Sequence, residues 1–586
     1  MRRLIYCLLL LLLLILGLAP NLSPARAVID PLSTPNNRFG IHLISPTDDE
    51  ASSAAELVNS SGGDWGYITI TIESKDRKID KWQQFFNKLR QRHLIPLVRI
   101  ATQTQSGFWQ RPEEDDAKKW ADFLNSLIWP TKNRYVIVYN EPNHAQEWGN
   151  SVDAKSYAKT LDQTITELKN ANQDFFVLNA GLDASAPQKL PVYEDEEQFI
   201  RQMDKTVPGI FDRLDGWVSH SYPNPDFSSP PTTTGKGSLK TWEWEVQLLK
   251  SLGIKKELPV FITETGWKHA EGLNYNRTYP SADTVAEYYR QAFSEVWNNP
   301  KIVAITPFLL DYQNPPFDHF SFKKSSNENL SQKPNSSPVL AAQYPSFYPQ
   351  FDTIQGLPKT RGVPARESKA ALLSANFYSA IALGEEYLVQ IKVRNTGQTI
   401  WGEDQTVRLL PVRGAENLNV SEAGLPKGIT VEPGQDYTFT INLKAGKLGT
   451  FSASLALFNG DKQFQSEPFS FSTTVKSPVI ILVEAGLRWK KDNSGEYILS
   501  AISNDARSTQ KLILDAKGSS GQIQSHSLLP DTDYRFTLSK PFYEPKTIRQ
   551  RVVSGLNILN FGNLQPDLSA ALLTPSDLWR LLPVSN

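Results

Sequence analysis

Short apolar runs recur eight times between residues 37 and 320. The runs are continuous rather than alternating, which is typical of strands buried on both faces of a parallel sheet. Amphipathic helical patterns lie between them; Trp82, Phe85, Phe86 and Leu89, for example, share one helix face. The eight runs are Phe39–Leu43, Tyr67–Ile72, Ile95–Ile100, Tyr135–Tyr139, Phe175–Leu178, Gly216–Ser219, Pro259–Thr263 and Ile302–Leu309.

Eight strands separated by helices within about 300 residues predict an α/β fold of the (β/α)8, or TIM, barrel type. A doubly wound parallel sheet is the alternative. The chain has no Gly-rich turn after the first predicted strand, which disfavours that alternative. A final barrel helix is expected from about Pro338–Ala342 onwards, within a segment rich in Ser, Asn and Pro.

The apolar period changes to two after about residue 370. Tyr387, Val389, Ile391 and Val393 alternate with polar residues, and similar strands follow. This pattern predicts an immunoglobulin-like sandwich over residues 373–477 and a second β-rich domain over 478–563. The expected order is a signal peptide at 1–27, a catalytic barrel at 28–358, a linker at 359–372, the two β domains and a helical tail at 564–586.

The first residues carry the pattern of an export signal. Arg2 and Arg3 precede an apolar run over Leu4–Leu18, and Ala-Arg-Ala at residues 25–27 has the small-x-small pattern of a signal-peptidase site. The run is shorter than the roughly 20 residues that span a bilayer, which favours cleavage over retention as an anchor. We therefore expect a periplasmic, extracellular or cell-surface protein. Such a protein could also associate with the cell envelope.

Composition disfavours several classes of function. The 61 basic and 62 acidic residues leave a net charge of −1, which gives no electrostatic footprint for nucleic acid or anionic lipid. There is no Gly-rich phosphate loop, so no nucleotide is expected. The single cysteine, Cys7, lies in the export signal, and none of the seven histidines forms an i, i+4 pair. We therefore expect no disulfide, no metal and no cofactor, and the lack of a Gly-x-Ser-x-Gly elbow disfavours a serine hydrolase.

Two predicted strands end in a glutamate. The fourth strand runs directly into Asn140, Glu141 and Pro142, and the seventh delivers Glu264, which is followed by Thr-Gly-Trp. The carboxyl ends of the strands face the active site in a parallel barrel. Both carboxylates are therefore expected at one mouth, although they lie far apart in sequence.

These motifs resemble those of the large retaining glycoside hydrolase clan built on the (β/α)8 barrel, which includes cellulase-like and β-xylosidase-like enzymes. The resemblance covers roughly residues 37–356. It implies that Glu141 is the acid/base, that Glu264 is the nucleophile and that Asn140 holds the sugar 2-hydroxyl. His220-Ser221-Tyr222 matches the clan's His-x-Tyr, whose tyrosine hydrogen-bonds the nucleophile.

The chemistry of glycosidic bonds agrees with this assignment. Cleavage needs a proton for the leaving oxygen and negative charge beside an oxocarbenium-like centre. Carboxyl groups about 5–5.5 Å apart allow covalent attack and retention, whereas about 6.5–9.5 Å leaves room for water and gives inversion. A tyrosine that donates to Glu264 favours its charged form, and that charge in turn raises the proton affinity of Glu141.

Further candidates for substrate contact lie at other strand ends. Arg99 ends the third strand, and its partner is expected to be an anion, a sugar hydroxyl or a structural salt bridge. His42 ends the first strand. It is expected either to line the mouth of the barrel or to be a hydrogen-bonded histidine in the core. Trp267 follows Glu264 and is the main candidate for a platform on which a sugar ring stacks.

The loops supply weaker candidates. Trp109 and Trp148 are expected either as walls of a sugar subsite or as loop packing. Asp311 and His319 follow the eighth strand and are candidate substrate contacts. In the first β domain, residues 393–401 resemble the Asn-Thr-Gly…Trp signature of an immunoglobulin-like accessory domain, where a spacer with a core tryptophan is preferred to a carbohydrate-binding face.

The sequence thus predicts an exported retaining O-glycosidase that acts on a polysaccharide or oligosaccharide. The competing hypothesis is a non-catalytic envelope protein with a degenerate barrel that binds glycan. Transglycosylation, in which a sugar replaces water, is a variant of the first hypothesis.

Overall fold

The computed structural model describes residues 28–324, 346–504, 507–525 and 527–571. The chain divides into two compact units, with the boundary after Arg366. The predicted export signal, the predicted helix start at Pro338–Ala342 and the predicted tail beyond residue 571 lie outside the described residues. Within the described ranges, no helix has both the length and the apolar character needed to cross a bilayer.

The first unit, called the α/β unit below, alternates strands with helices. Each of the eight predicted runs overlaps a strand, which confirms that part of the prediction. The strands are β1 (Gly40–Leu43), β2 (Gly66–Glu73), β3 (Leu94–Ala101), β4 (Arg134–Val138), β5 (Phe175–Leu178), β6 (Trp217–His220), β7 (Val260–Glu264) and β8 (Ile302–Ile305). The helices are α1 (Asp48–Val58), α2 (Ile79–Gln91), α3 (Asp116–Ser126), α4 (Ala154–Ala171), α5 (Glu196–Thr206), α6 (Thr241–Ser251), α7 (Ala282–Gln291) and α8 (Pro349–Gly356).

Some helices of the α/β unit begin at a side-chain cap, and their apolar faces pack against the strands. Ser281 caps α7, because its Oγ accepts a hydrogen bond from the backbone N–H of Thr284 at 3.2 Å. The apolar face of α2 is buried against the strands. Burial of these faces, rather than helix propensity, stabilises helices of this length.

The strands are buried on both faces. On β3, Ile95 and Leu97 belong to an inner apolar cluster, whereas Leu94, Val98 and Ile100 belong to the outer cluster that contacts the helices. This arrangement explains why the strands read as continuous apolar runs rather than as alternating patterns.

Strands β1–β8 of the α/β unit pair in parallel and in chain order, and the loop after β3 adds a short antiparallel hairpin of Thr104–Gln105 with Phe108–Trp109. One sheet has the order β1-β2-β3-β4-β5, and β6, β7 and β8 form a second sheet. Parallel bridges join the two sheets at both edges, between Phe39 and Ile305 and between Leu178 and Gly216. A doubly wound sheet reverses its strand order at a switch point, so that alternative is wrong. The parallel order places the carboxyl ends of β4 and β7, and with them Glu141 and Glu264, at the same end of the unit.

The second unit contains only short helical structure besides its strands, within the described residues. Tyr387, Val389, Ile391 and Val393 alternate with exposed residues along one strand, as predicted. Trp401 is buried in an apolar cluster with Phe464, as expected of a core tryptophan. The strands are β9 (Ala370–Ala375), β10 (Ala380–Ala382), β11 (Glu386–Asn395), β12 (Val407–Arg413), β13 (Ala423–Gly424), β14 (Asp436–Lys444), β15 (Gly449–Asn459), β16 (Lys462–Gln463), β17 (Phe469–Lys476), β18 (Val479–Leu487), β19 (Gly495–Ile502), β20 (Arg507–Leu514), β21 (Ser519–Ser525), β22 (Thr532–Lys540), β23 (Tyr543–Val552) and β24 (Gly555–Leu564). A short helix, α9, spans Leu568–Ala571.

Candidate functional site

A cleft of about 390 Å³ opens at the carboxyl ends of the strands of the α/β unit. Its polar lining includes four acidic residues, Glu141, Glu147, Asp183 and Glu264. The rest of the lining is mainly aromatic and includes Trp109, Tyr222, Phe227, Phe308, Tyr312, Phe317 and Phe320. An apolar cleft with a few convergent polar groups is the usual form of a binding site for a small ligand.

Glu264 is the last residue of β7 and is held from several sides. Tyr222 donates its hydroxyl to Oε2 of Glu264 at 3.2 Å, and Arg99 donates from Nη1 to Oε1. Arg99 is itself fixed, because it also donates to Thr71 Oγ1 at 3.0 Å and to Asn140 Oδ1 at 2.7 Å. These contacts orient the Glu264 carboxylate towards the cleft.

The charge of Glu264 is stabilised. Burial alone raises the pKa of a carboxyl group, but the facing cations of His220 and Arg99 outweigh burial and lower the pKa of Glu264 to about 2. Glu264 is therefore ionised throughout the neutral range.

Glu141 lies just beyond the end of β4 in a strained turn. The backbone φ angles are 70° at Tyr139 and 29° at Glu141, which non-glycine residues rarely adopt. The turn is held by hydrogen bonds from Glu141 N to Gly181 O at 3.0 Å and from His144 N to Glu141 O at 2.9 Å. The strain re-aims the side chain of Glu141 from the strand direction into the cleft.

The buried ring of His220 contacts the carboxylate of Glu141. Its Nδ1 lies 2.8 Å from Oε1 of Glu141 and 3.8 Å from Oε2 of Glu264. The ring packs so closely on Gly181 that a Cβ there would lie 2.1 Å from it, so only glycine fits. Burial lowers the pKa of His220, but the facing carboxylates of Glu264 and Glu141 outweigh burial and raise it. The facing carboxylates therefore favour the protonated form of the His220 ring.

The two glutamates meet in one cleft. Carboxylate oxygens of Glu141 and Glu264 lie within 4.8 Å of each other, and His220 offers a ring nitrogen within the same distance of both. Such a triad has the size of a cation site. The ring nitrogen, however, carries a proton that it donates to Glu141, and Arg99 already balances Glu264, so the residues suit proton transfer better than a metal.

The structure brings some of the predicted substrate contacts to the cleft. Asn140, Tyr222 and Arg99 line it. The partner of Arg99 is the carboxylate of Glu264, so the guanidinium forms an ion pair within the site rather than a distant structural one. The side-chain oxygen of Asn140 accepts from Arg99, while its amide N–H groups face Glu147.

Two of the predicted substrate contacts need correction. His220 lies behind Glu141 and contributes no surface to the cleft. His42 is fully buried beneath Glu264, and its ring nitrogens have no hydrogen-bond partner among the described residues. Burial, followed by the charge of Arg99, lowers the pKa of His42 to about 3, so the ring is neutral. Neither histidine reaches a ligand in the cleft.

The predicted role of Trp267 as a stacking platform is wrong. Its side chain is 1% exposed and packs against Tyr288, Tyr289 and Trp297. The indole N–H donates to Ser229 O at 2.8 Å. No ring face is left for a sugar, because the tryptophan closes the layer between β7 and α7.

Of the four candidates predicted in loops, one lines the cleft and three do not. Trp109 lines the cleft, whereas Trp148 is buried against Tyr139 and Tyr157 as loop packing. Asp311 forms an ion pair with Lys323 at 2.8 Å, and His319 contacts the backbone oxygen of His269 at 2.9 Å. Neither residue lines the cleft.

Several polar residues that line the cleft were not predicted from the sequence; they are Thr71, Thr102, His144, Glu147, Asp183 and Lys268. His144 Nε2 lies 2.7 Å from Oδ2 of Asp183. Glu147 follows Glu141 by six residues in the same loop, and membership of the loop after β4 is the signal that could have found it.

No family model matches the sequence, and no curated protein matches it. Solved structures that are similar to the chain include several glycoside hydrolases. One is a family 39 glycoside hydrolase from the gut symbiont Bacteroides cellulosilyticus WH2, with 15% identity and a TM-score of 0.37 over 71% of this chain and 82% of the other.

Two further examples extend the range of these glycoside hydrolases. An endo-β-1,3-glucanase of family 128, subgroup II, from Sorangium cellulosum has 15% identity and a TM-score of 0.32 over 49% of this chain and 93% of the other. A family 30, subfamily 8 xylanase from Clostridium acetobutylicum has 11% identity and a TM-score of 0.32 over 70% and 98%. Similarities at such low TM-scores carry no conclusion about the activity of this chain, which has to be argued from the site itself.

Proposed function

We propose that the α/β unit is a (β/α)8-barrel glycoside hydrolase that cleaves O-glycosidic bonds with retention of configuration. The observation that carries the proposal is the meeting of Glu141 and Glu264, whose oxygens lie within 4.8 Å in an open cleft. This close approach of one oxygen from each residue favours the roughly 5–5.5 Å spacing of carboxyl groups in retaining enzymes over the wider spacing in inverting ones. The bridges that join both edges of the two sheets support a closed barrel.

Glu264 is the nucleophile of the proposed mechanism. It is ionised at neutral pH, and Arg99 and Tyr222 aim its oxygens. One carboxylate oxygen attacks the anomeric carbon, and the bond from that carbon to the leaving oxygen breaks. The product of this step is a glycosyl ester of Glu264.

Glu141 moves the proton in both steps. In the first step its carboxyl group gives a proton to the leaving oxygen, so the departing group leaves as an alcohol. In the second step the carboxylate takes a proton from water, which attacks the anomeric carbon and releases Glu264. A sugar hydroxyl in place of water gives transglycosylation through the same intermediate.

The substrate of the proposed enzyme is a polysaccharide or oligosaccharide that binds along the aromatic wall of the cleft. Aromatic faces such as that of Trp109 suit the apolar faces of sugar rings. The export pattern at residues 1–27 supports a site of action outside the cytoplasm, at the cell envelope or beyond it. We infer that the strands of the second unit form immunoglobulin-like sandwiches. These sandwiches have an accessory role beside the proposed catalytic unit.

The test compares products rather than rates alone. Glu264→Ala and Glu141→Ala should each reduce turnover of an aryl β- or α-glycoside panel at least about a thousandfold. Added azide should restore each variant, but with opposite anomeric configurations, because azide replaces the nucleophile in Glu264→Ala and water in Glu141→Ala. Asp311→Asn, which removes a carboxylate outside the cleft, is the matched control and should keep wild-type turnover.

Inactivity of the wild-type protein on a broad panel, together with glycan binding that survives Glu264→Ala, would favour the non-catalytic glycan-binding protein. Azide products of the same configuration from both variants would contradict the assignment of the two glutamates.

A further inference from the structure

Lys268 is a cation of the cleft lining and follows Glu264 by four residues. Its ammonium nitrogen lies 4.7 Å from the centre of the Phe227 ring, 5.2 Å from that of Tyr279 and 5.9 Å from that of Phe320. The side chain is 17% exposed. These three rings, called the Lys268 cage below, hold the ammonium group in place, because a cation is attracted to an aromatic face.

The Lys268 cage joins three neighbouring loops. Phe227 lies in the loop after β6, Lys268 and Tyr279 in the loop after β7, and Phe320 in the loop after β8. Lys268 N donates to Phe227 O at 3.3 Å. The backbone φ angles of 54° at Asp226 and 56° at Phe227 are ones that non-glycine residues rarely adopt. A strained turn therefore supplies two of the groups that contact Lys268.

The ammonium group of Lys268 keeps hydrogen-bonding capacity for a ligand. A lysine has three N–H donors. Within the described ranges, the hydrogen-bond and ion-pair partner of this ammonium group is Asp226, whose Oδ1 lies at 3.2 Å. The Asp226 side chain is 62% exposed and does not line the cleft, and exposed ion pairs of this kind are weak. The remaining donors suit an acceptor that enters the cleft.

The other cations of the cleft lining are balanced by its own carboxylates. Arg99 pairs with Glu264, and His144 pairs with Asp183. Among the described residues that line the cleft, Lys268 is therefore the cation whose carboxylate partner lies outside it. An anionic group of a ligand can pair with Lys268 without displacing a carboxylate of the site.

The charges of the lining are also separated by sheet. Glu141, His144, Glu147 and Asp183 lie in the loops after β4 and β5, which belong to the first sheet. The Lys268 cage lies in the loops after β6, β7 and β8, the strands of the second sheet. An anionic group is attracted to the second set of loops and repelled by the first, so its charge also sets the direction of the ligand.

The Lys268 cage contacts the residues that hold the nucleophile of the proposed mechanism. The Phe227 ring packs edge-on against Tyr222, with ring centres 4.9 Å apart, and Tyr222 donates to Glu264. Two aromatic rings therefore connect the ammonium group to the Glu264 carboxylate. This short path of contacts puts Lys268 beside the sugar that binds at Glu264 or beside the next sugar of the chain.

We propose that Lys268 binds an anionic group of the substrate, so that the cleft selects glycans whose sugars carry a carboxylate, as uronic acids do, or a sulfate ester. Both groups present oxygen atoms that accept charge-assisted hydrogen bonds from an ammonium group, whereas a neutral sugar offers hydroxyl groups alone. This inference rests on the proposed function for the cleavage of such glycans. Selective binding is measurable without turnover.

The first test compares acidic polysaccharides with their own neutral forms. The probes are polygalacturonate, glucuronoxylan, hyaluronan and carrageenan. Carboxyl reduction turns each uronic acid into the parent sugar and desulfation removes the ester, while the linkages stay the same. Titration calorimetry uses the full chain with Glu264→Gln, which prevents turnover.

At least one acidic probe should bind about tenfold more tightly than its neutral form. The treatment that abolishes this difference, reduction or desulfation, identifies the anionic group. Equal affinities within every pair, or no binding of any acidic probe, would overturn the proposal.

The second test changes the charge of Lys268 in the same background. Lys268→Met keeps an unbranched side chain in the cage and should weaken binding of the acidic probe about 10- to 100-fold, with less than about a twofold change for the neutral form. Lys268→Arg keeps the charge and should restore at least half of the loss on a logarithmic scale. Lys323→Gln removes a cation outside the cleft and is the matched control. Equal losses on both forms would mark Lys268 as merely structural and overturn the proposal.

Asp226→Asn tests the role of Lys268 without changing the ammonium group. Asp226 competes with the ligand for this group, so the variant should bind the acidic probe at least as tightly as the parent protein. A loss as large as that of Lys268→Met, with thermal unfolding unchanged, would show that the ion pair itself shapes the cleft and would overturn the proposal.

The two proposals fail separately. Lys268-dependent binding of acidic glycans by a wild-type protein that cleaves no glycoside would retain the anionic subsite and reject the glycosidase. Turnover with azide rescue on neutral glycosides, unchanged in Lys268→Met and without any preference for acidic probes, would retain the glycosidase and reject the anionic subsite.

Discussion

The hydroxyl group of Tyr222 donates to Oε2 of Glu264 at 3.2 Å, on the side of the carboxylate opposite to the oxygen that Arg99 holds. Each oxygen of Glu264 therefore has its own donor. The donors come from the loop after β6 and from β3, so the carboxylate is fixed by elements far apart in sequence. This geometry holds the Glu264 carboxylate at the end of β7 in one orientation, as the proposed role of nucleophile requires.

Tyr222→Phe removes one of these donors and keeps the ring. A hydrogen bond to a charged group contributes about 1.5–3 kcal/mol, so kcat/KM should fall about 10- to 100-fold. Steady-state kinetics on an aryl glycoside measures the loss, and unchanged thermal unfolding shows that the fold is intact. A loss below about threefold would mean that the hydroxyl does not support Glu264 during the reaction.

The depressed pKa of Glu264 also makes stability depend on pH. A carboxyl group with a pKa of about 2 in the folded protein and 4.5 when unfolded stabilises the fold above pH 4.5, and this contribution is lost as pH falls towards 2. Each unit of pKa difference corresponds to about 1.4 kcal/mol. Urea unfolding of the wild type and of Glu264→Gln between pH 6 and 3 should give converging stabilities; a constant difference across this range would contradict the shifted pKa.

A second carboxyl pair should act with the opposite sign. Glu196 on α5 and Glu245 on α6 are both fully buried, and Trp217 Nε1 donates to Glu245 Oε2 at 3.0 Å. Burial raises the pKa of both, and each carboxyl group faces the other, so the folded protein retains a proton that the unfolded chain releases. Stability is then fully present below pH 4.5 and declines as pH rises above it.

Glu245→Gln should reduce this decline, because it removes one of the two buried carboxyl groups and the charge that faces Glu196, while the amide oxygen can still accept from Trp217. Its urea midpoint relative to the wild type should rise between pH 5 and pH 8, by an amount equivalent to about 1 kcal/mol or more. Glu243→Gln on the same helix is the control and should follow the wild type. Parallel pH curves for the wild type and Glu245→Gln would show that the pair is not protonated.

Two tryptophans of the α/β unit should respond differently to removal. Trp109→Ala should raise KM about 2- to 12-fold with little change in the free energy of unfolding, because the ring is only half-buried and stacking on it contributes about 0.5–1.5 kcal/mol. Trp267→Ala should instead lower the free energy of unfolding by about 3–5 kcal/mol, as for a large buried side chain. A change in KM from Trp267→Ala without loss of stability would reinstate Trp267 as a ligand contact.

The sequence by itself determined the α/β unit and the order of its strands. Continuous apolar runs identified strands buried on both faces, as β3 illustrates. The helical patterns between the runs indicated that successive strands are parallel. Because parallel strands bring their carboxyl ends to one edge, Glu141 and Glu264 could be placed together from motif and strand number alone. The contact between Tyr222 and Glu264 was implied by the resemblance of residues 220–222 to the His-x-Tyr motif of the retaining glycoside hydrolase clan.

Only the tertiary structure decided which side chains face the ligand. Trp267 directly follows the strand-end motif but turns into the layer behind β7, while His220 and His42 lie beneath the carboxylates instead of beside a substrate. Glu147 is an ordinary loop residue in the sequence, and a 3-10 turn anchored by Trp148 makes it a neighbour of Asn140. Apolar periodicity reports burial along one element, whereas the direction of a loop side chain depends on packing between elements, which no local pattern records.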